Sequence, residues 1–196
     1  MFRSIGMIVC LAATAWFQTS AVTTEFTCGN TLGEGLKSHR TFCDVVIGTH
    51  PKDGVMMTVP PHAGEATLMF DLHNRYSPPP GAATAGMYAK HTAIVAVLDQ
   101  SGAEISKAAV ARELRAEVDI FDRVAGGSGP GGAIAVVPGR AEAITLQLAE
   151  SVTAIAVVGV SLEVMSMAER GTFTTPGRPV AIGSNFRIEY TRRHGS

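Results

Sequence analysis

Residues Glu65 to Arg75 alternate between apolar and polar positions with a period of two. Ala66, Leu68, Phe70 and Leu72 fall on one face, and Thr67, Met69, Asp71 and His73 fall on the other. This alternation predicts a β-strand with one buried face, because successive side chains of an extended chain point to opposite sides. The run from His91 to Asp99 has a different pattern. It is almost continuously apolar, is too short to cross a membrane, and reads as a strand covered on both faces. Asp99-Gln100-Ser101-Gly102 then supplies turn chemistry and a second run begins at Ala103, so the two runs predict a hairpin around which the chain is organised.

Further strands are predicted at Thr41 to Ile47, with Cys43, Val45 and Ile47 on one face, and at Val55 to Val59, stopped by Pro60-Pro61. Others fall at Ala133 to Pro138, at Ile144 to Leu148, and at Ala154 to Val164, where Gly159 marks a bulge or bend. Near the end Phe186, Ile188 and Tyr190 alternate with Arg187 and Glu189. Val22 to Arg40 holds few large apolar residues and reads as a loop, Pro51 to Gly54 as a turn, and Gly171 to Pro179 as a turn region. Ser77 to Gly86, with Pro78-Pro79-Pro80-Gly81, reads as an exposed crossover loop.

One stretch carries a helical period. Val110, Leu114, Val118 and Phe121 recur at helical spacing within Lys107 to Val124, with Ser106 as an N-cap. The hairpin keeps the chain extended to about Val110, so the helix is placed at Glu117 to Val124, ended by Gly126 to Gly132. Eight to ten short strands with at most one short helix predict a mainly β fold, an antiparallel β-sandwich.

The N-terminus changes the picture of where this fold works. Arg3, the apolar run Ile5 to Phe17 and the small residues Thr19-Ser20-Ala21 match the three regions of an export signal. The expected organisation is a signal peptide at residues 1–21 and a single domain at 22–196, secreted or periplasmic. Ala13-Thr14-Ala15 is a second cleavage site. No later run is long enough for a transmembrane helix, so an integral membrane protein is not expected. Cys28 and Cys43 are the cysteines left after cleavage. In an exported chain such a pair reads as a disulfide, and its spacing is not that of a Cys-x-x-Cys redox motif.

Charge narrows the partners. The chain has 16 basic and 17 acidic residues, and losing Arg3 leaves 15 and 17, a net charge of −2. That balance gives no electrostatic footprint for nucleic acid or an anionic membrane.

Candidate chemistry is sparse. Gly127 to Gly132 fits G-x-G-x-x-G in letters, but a dinucleotide site needs a strand before it and a helix opening at its end, and here the order is reversed. Around Ser128, Pro130 stands where the last glycine of a G-x-S-x-G elbow belongs. Among the histidines the closest ligand-type pairing is Asp71 with His73, two positions apart on one strand face beside Met69. Such a pair can hold a divalent metal with a third ligand from a neighbouring strand. Tyr76 and Tyr88 flank the proline loop and form a possible binding rim. The alternating C-terminal strand has the pattern of one that pairs with a neighbour's sheet edge. The expected function is a non-enzymatic binding or structural module with a protein or glycan partner and no cofactor. The alternative is a metal-binding protein using Asp71 and His73.

Overall fold

The structure is a computed structural model that describes residues 20–75, 89–113, 119–126, 133–139, 141–166 and 170–193. It is a mainly β sandwich. The first sheet contains β1 (Ser20–Thr23), β3 (Thr31–Glu34), β4 (Thr41–Val46), β6 (Ala66–Asn74), β11 (Glu142–Leu148) and β14 (Pro179–Thr191). Its order is β11-β6-β14-β4-β3, with β1 also paired to β14. The second contains β2 (Thr27–Cys28), β5 (Val55–Thr58), β7 (Ala89–Asp99), β8 (Glu104–Glu113), β12 (Ala154–Ser166) and β13 (Arg170–Phe173). Its order is β2-β5-β12-β7-β8, with β13 also on β12. A separate ribbon joins β9 (Ile120–Ala125) to β10 (Ala133–Pro138). All pairings between these strands are antiparallel.

The core forms where the apolar faces of the two sheets meet. Leu68, Phe70 and Leu72 of β6 are buried against Val45, Val95, Val97, Val157 and Ile188 in one cluster. Phe70 stacks on Phe186 at 5.2 Å between ring centroids, and the tilted ring of Phe26 meets Phe186 at 5.1 Å. β7 is buried on both faces, as its composition predicts. Ala93, Val95 and Val97 enter the main core, while Ala96 and Leu98 join Val158 in a small cluster on the other side. The hairpin turn after β7 is held by Asp99, whose Oδ1 accepts from the Ser101 and Ala103 amides and the Ser101 hydroxyl. Gly102 follows at φ +86°, a conformation that favours glycine.

Two devices join the sheets directly. The Cys28–Cys43 disulfide runs from β2 in the second sheet to β4 in the first. At Gly159 the register of β12 on β7 shifts, the predicted bulge. There the chain leaving β4 passes against β12, and Gly48 donates to the Gly159 carbonyl. A Cβ on Gly159 would lie 2.8 Å from the Val46 carbonyl carbon and 2.9 Å from the Ile47 nitrogen, so only glycine permits this crossing.

Four expectations are corrected. The described residues form fourteen strands, not eight to ten. Nine match predicted runs, and β1, β2, β3, β9 and β13 are additional. β1, β2 and β3 occupy the expected loop at Val22 to Arg40, and β13 the expected turn after Gly171. These strands have two to four residues, too few for a period to show, and exist because β14, β5, β4 and β12 offer them a pairing edge. The expected helix near Val124 is β9, and Ser106 lies inside β8 rather than at a helix cap. The helical spacing linked Val110 of one strand to Phe121 of another, and the intervening residues 114–118 lie outside the described residues. Finally, β14 is not an edge. It lies between β6 on one side and β4 and β1 on the other, so it has no free side for a neighbouring molecule.

Candidate functional site

The outward face of β6 carries the residues singled out by sequence, and the ribbon decides their environment. Leu32, Phe42, Val124, Ala135, Val137 and Ile182 form a second apolar cluster where β9 and β10 lie on the first sheet. His73 is at the margin of this cover and is only 2% exposed. Its ring sits 5.7 Å from Phe121 of the ribbon and 6.0 Å from Phe42. Nδ1 faces the Pro138 carbonyl at 3.0 Å, and a carbonyl can only accept, so Nδ1 carries the proton. Nε2 is then the acceptor for the Ser184 hydroxyl, 3.2 Å away. Burial holds the His73 pKa below the ordinary histidine value, against the opposing pull of the Pro138 carbonyl and the Asp71 charge.

Asp71 lies two residues back on the same face and is half-buried. Its Oδ2 receives Arg40 Nη1 at 3.1 Å and Asn185 Nδ2 at 3.2 Å. Asn185 reaches it from an irregularity in β14, where the register on β6 shifts between Ser184 and Arg187 and Asn185 takes φ +55°. The Arg40 guanidinium also covers the Phe121 ring at 5.2 Å. Within the ribbon, Asp122 of β9 accepts from the Ser38 hydroxyl at 2.5 Å and from the Lys37, Ser38 and Arg123 amides. Burial pushes the Asp122 carboxyl up, and these donors outweigh it and leave its pKa below the usual carboxylate range.

These contacts define the chemistry open to the cluster. Ser184, His73 and a fixed acceptor on Nδ1 are the parts of a nucleophile–base pair. Ser184 is 0% exposed, however, so no substrate carbonyl can approach its oxygen. As metal ligands, His73 has its Nε2 lone pair on Ser184 and Asp71 is engaged by Arg40 and Asn185. Among the described residues no group of three His, Cys, Asp or Glu side chains is placed to hold a metal ion.

Tyr76, Tyr88 and the glycine-rich residues 127–132 lie outside the described residues. The strands β9 and β10 flank those glycines, so the strand–loop–helix context of a phosphate site is not present. At the flank of the proline loop, Asp44 and Arg75 form an ion pair at 2.9 Å, and Asn74 donates to the His91 carbonyl. Burial raises the Asp44 pKa against the pull of Arg75 and lowers that of His91 against its bond to the Arg75 carbonyl.

A second concavity was not visible in the sequence. Thr23 to Thr27 leaves β1 in the first sheet and enters β2 in the second, so it crosses from one sheet to the other. Phe26 anchors the crossing on Phe186, and Cys28 ties its end to β4. Between this segment and β5 runs an open groove of about 690 Å³. Phe26, Met56, Met57, Ile155 and Pro60 give it apolar walls, and Glu25 and Asp99 are the charged residues that line it. A single Phe in a polar stretch two residues before a bridged cysteine was the available signal for it.

Compared with protein-family models, with curated proteins and with solved structures, the chain finds no match in any of the three.

Proposed function

We propose that the chain is an exported, non-enzymatic binding or structural module of the cell envelope or extracellular space. The observation that carries this reading is a contrast in access. The Ser184–His73 pair is sealed under the ribbon, while the groove beside β5 is open and mostly apolar. Concavities with apolar walls and a few polar groups are where folded proteins take ligands. The disulfide fits an oxidising compartment, and the apolar segment after Arg3 fits export. Among the described residues no helix is long and apolar enough to cross a membrane. Signal removal after Ala21 would divide β1, whereas removal after Ala15 leaves it whole. In this reading the upstream site is used, and the intact mass of the exported protein checks it.

The test is thermal unfolding of the oxidised protein against short peptides, oligosaccharides and divalent cations. A rise in Tm with a peptide or oligosaccharide, abolished by Met56→Arg, is the expected result. A rise with a cation, lost in both Asp71→Asn and His73→Gln, would replace this reading with the metal-binding one.

A further inference from the structure

The groove has three properties that together select a class of ligand. The first is an incomplete sheet edge. β2 pairs with β5 only through Thr27–Met56 and Cys28–Val55, although β5 continues to Thr58. Val59 donates to the Thr153 carbonyl across β12. Hydrogen-bonding direction alternates along a strand, so Met57 also faces β12, while the N–H and C=O of Thr58 point the other way, into the groove. The second property is the apolar wall of Phe26, Met56 and Met57, fixed by the Phe26–Phe186 contact and the disulfide. The third is charge. Both charged lining residues, Glu25 and Asp99, are acidic. Hydrogen bonds from the Ser101 hydroxyl and backbone amides hold the Asp99 pKa below its ordinary value, so it is ionised wherever the protein is folded near neutral pH.

We propose that the groove takes an extended peptide segment of a partner protein in which a basic side chain lies next to an apolar one. The segment continues the sheet beyond β2. It exchanges main-chain hydrogen bonds with Thr58, places its apolar side chain against Phe26 and Met56, and directs its basic side chain to Glu25 and Asp99. Strand addition of this kind takes affinity from the main chain and specificity from alternate side chains. Pro60 and Pro61 cannot donate, so the added strand stops at Thr58. The proposal rests on the binding reading above and adds the class of ligand.

Fluorescence anisotropy with labelled, end-blocked six-residue peptides tests it, one alternating lysine with leucine and one alternating glutamate with leucine. The lysine–leucine peptide is expected to bind saturably and the glutamate–leucine peptide about tenfold or more weakly. Thr58→Pro removes only the groove-facing N–H and leaves the ladder to β12 intact, so it should weaken the lysine–leucine peptide about tenfold or more with little change in Tm. Glu25→Lys, an exposed substitution outside any strand, should weaken it at least as much. Equal binding of the two peptides, or unchanged binding in both variants, would overturn the proposal. If Thr58→Pro does not fold, retention of full affinity by Glu25→Lys alone overturns it. A Tm rise with an oligosaccharide that Met56→Arg abolishes, alongside no binding of the lysine–leucine peptide, leaves the binding module standing and removes the peptide ligand.

Discussion

The two faces of β6 are made by one strand of nine residues, yet they follow different rules. On the inner face Ala66, Leu68, Phe70 and Leu72 are all buried at 0–1% exposure, and buried Asn74 ends the row. On the outer face Thr67, Met69 and Asp71 are half-buried, and then His73 is buried. The inner face is stabilised by area removed from water and by close packing, both non-directional. The outer face under the ribbon relies on directed contacts: Nδ1 of His73 on Pro138, Nε2 on Ser184, and Asp71 between Arg40 and Asn185. Alternation in sequence predicts the first kind of face and says nothing about what covers the second.

The inner face should respond most strongly to loss of a large side chain. Phe70→Ala deletes a ring stacked on Phe186 in a fully buried site. It should lower stability by about 3–5 kcal/mol, from lost transfer energy and the cavity left behind. Urea unfolding at neutral pH measures it, and a loss below about 1 kcal/mol would mean that the inner face is not the structural core. Next comes the staple between the sheets. The disulfide closes a span of 15 residues, and replacing both Cys28 and Cys43 by alanine should cost about 3 kcal/mol in the chain-entropy account. Under denaturing, non-reducing conditions the wild type should show no thiol that reacts with a labelling reagent. Quantitative labelling would show that the disulfide does not join the two sheets, leaving the crossing at Gly159 and the packed core to hold them.

The contrast also explains how far the sequence could be read. The longer strands carry their own signal, alternating in β4 and β6 and almost continuously apolar in β7 and the first half of β12. The turn at Asp99 to Gly102 is equally local, because one carboxylate and one glycine determine it. β2 and β3 are set by tertiary pairing and have no signal of their own. The environment of His73 was hidden for a related reason. Its cover comes from β9 and β10, far along the chain, and β9 itself was obscured by a helical spacing that bridged two strands. Of the polar cluster, Asp71 and His73 stood out because they lie two positions apart. Ser184, Asn185 and Arg40 reach them from other elements, at separations that no local pattern records.

The directed contacts are tested by His73. Burial lowers its pKa in the folded state, so between that pKa and the ordinary value of 6.5 the unfolded chain binds more protons than the folded one. Stability contributed by the neutral ring is therefore complete above pH 6.5 and is lost as pH falls toward the folded pKa. His91 is shifted the same way, so the wild-type slope contains both. His73→Gln should cost about 1–3 kcal/mol at pH 7.5 through imperfect pairing of the buried Pro138 carbonyl. It should also make the loss of stability between pH 7 and pH 5 shallower than in wild type. Parallel pH profiles for the two proteins would mean that the ribbon does not bury His73.

The smallest effect is expected at Asp71, one alternation away from Phe70 and on the same face as His73. Its partner Arg40 is 41% exposed at the side chain, and Asp71 itself 21%, so water screens much of their attraction. Partly exposed ion pairs contribute about 0–1 kcal/mol, since side-chain ordering offsets the Coulomb gain. Asp71→Ala removes the acceptor, but Arg40 keeps its contact with the Phe121 ring and Asn185 remains exposed to water, so no buried group is orphaned. The predicted loss is under about 1 kcal/mol, several times smaller than for Phe70→Ala at the adjacent position. Urea midpoints of the two variants, measured side by side, make the comparison directly. A cost for Asp71→Ala approaching that of Phe70→Ala would show that the outer face contributes to the fold as heavily as the core does. Stability would then depend on the polar cluster, and the strict division between the faces of β6 would have to be given up.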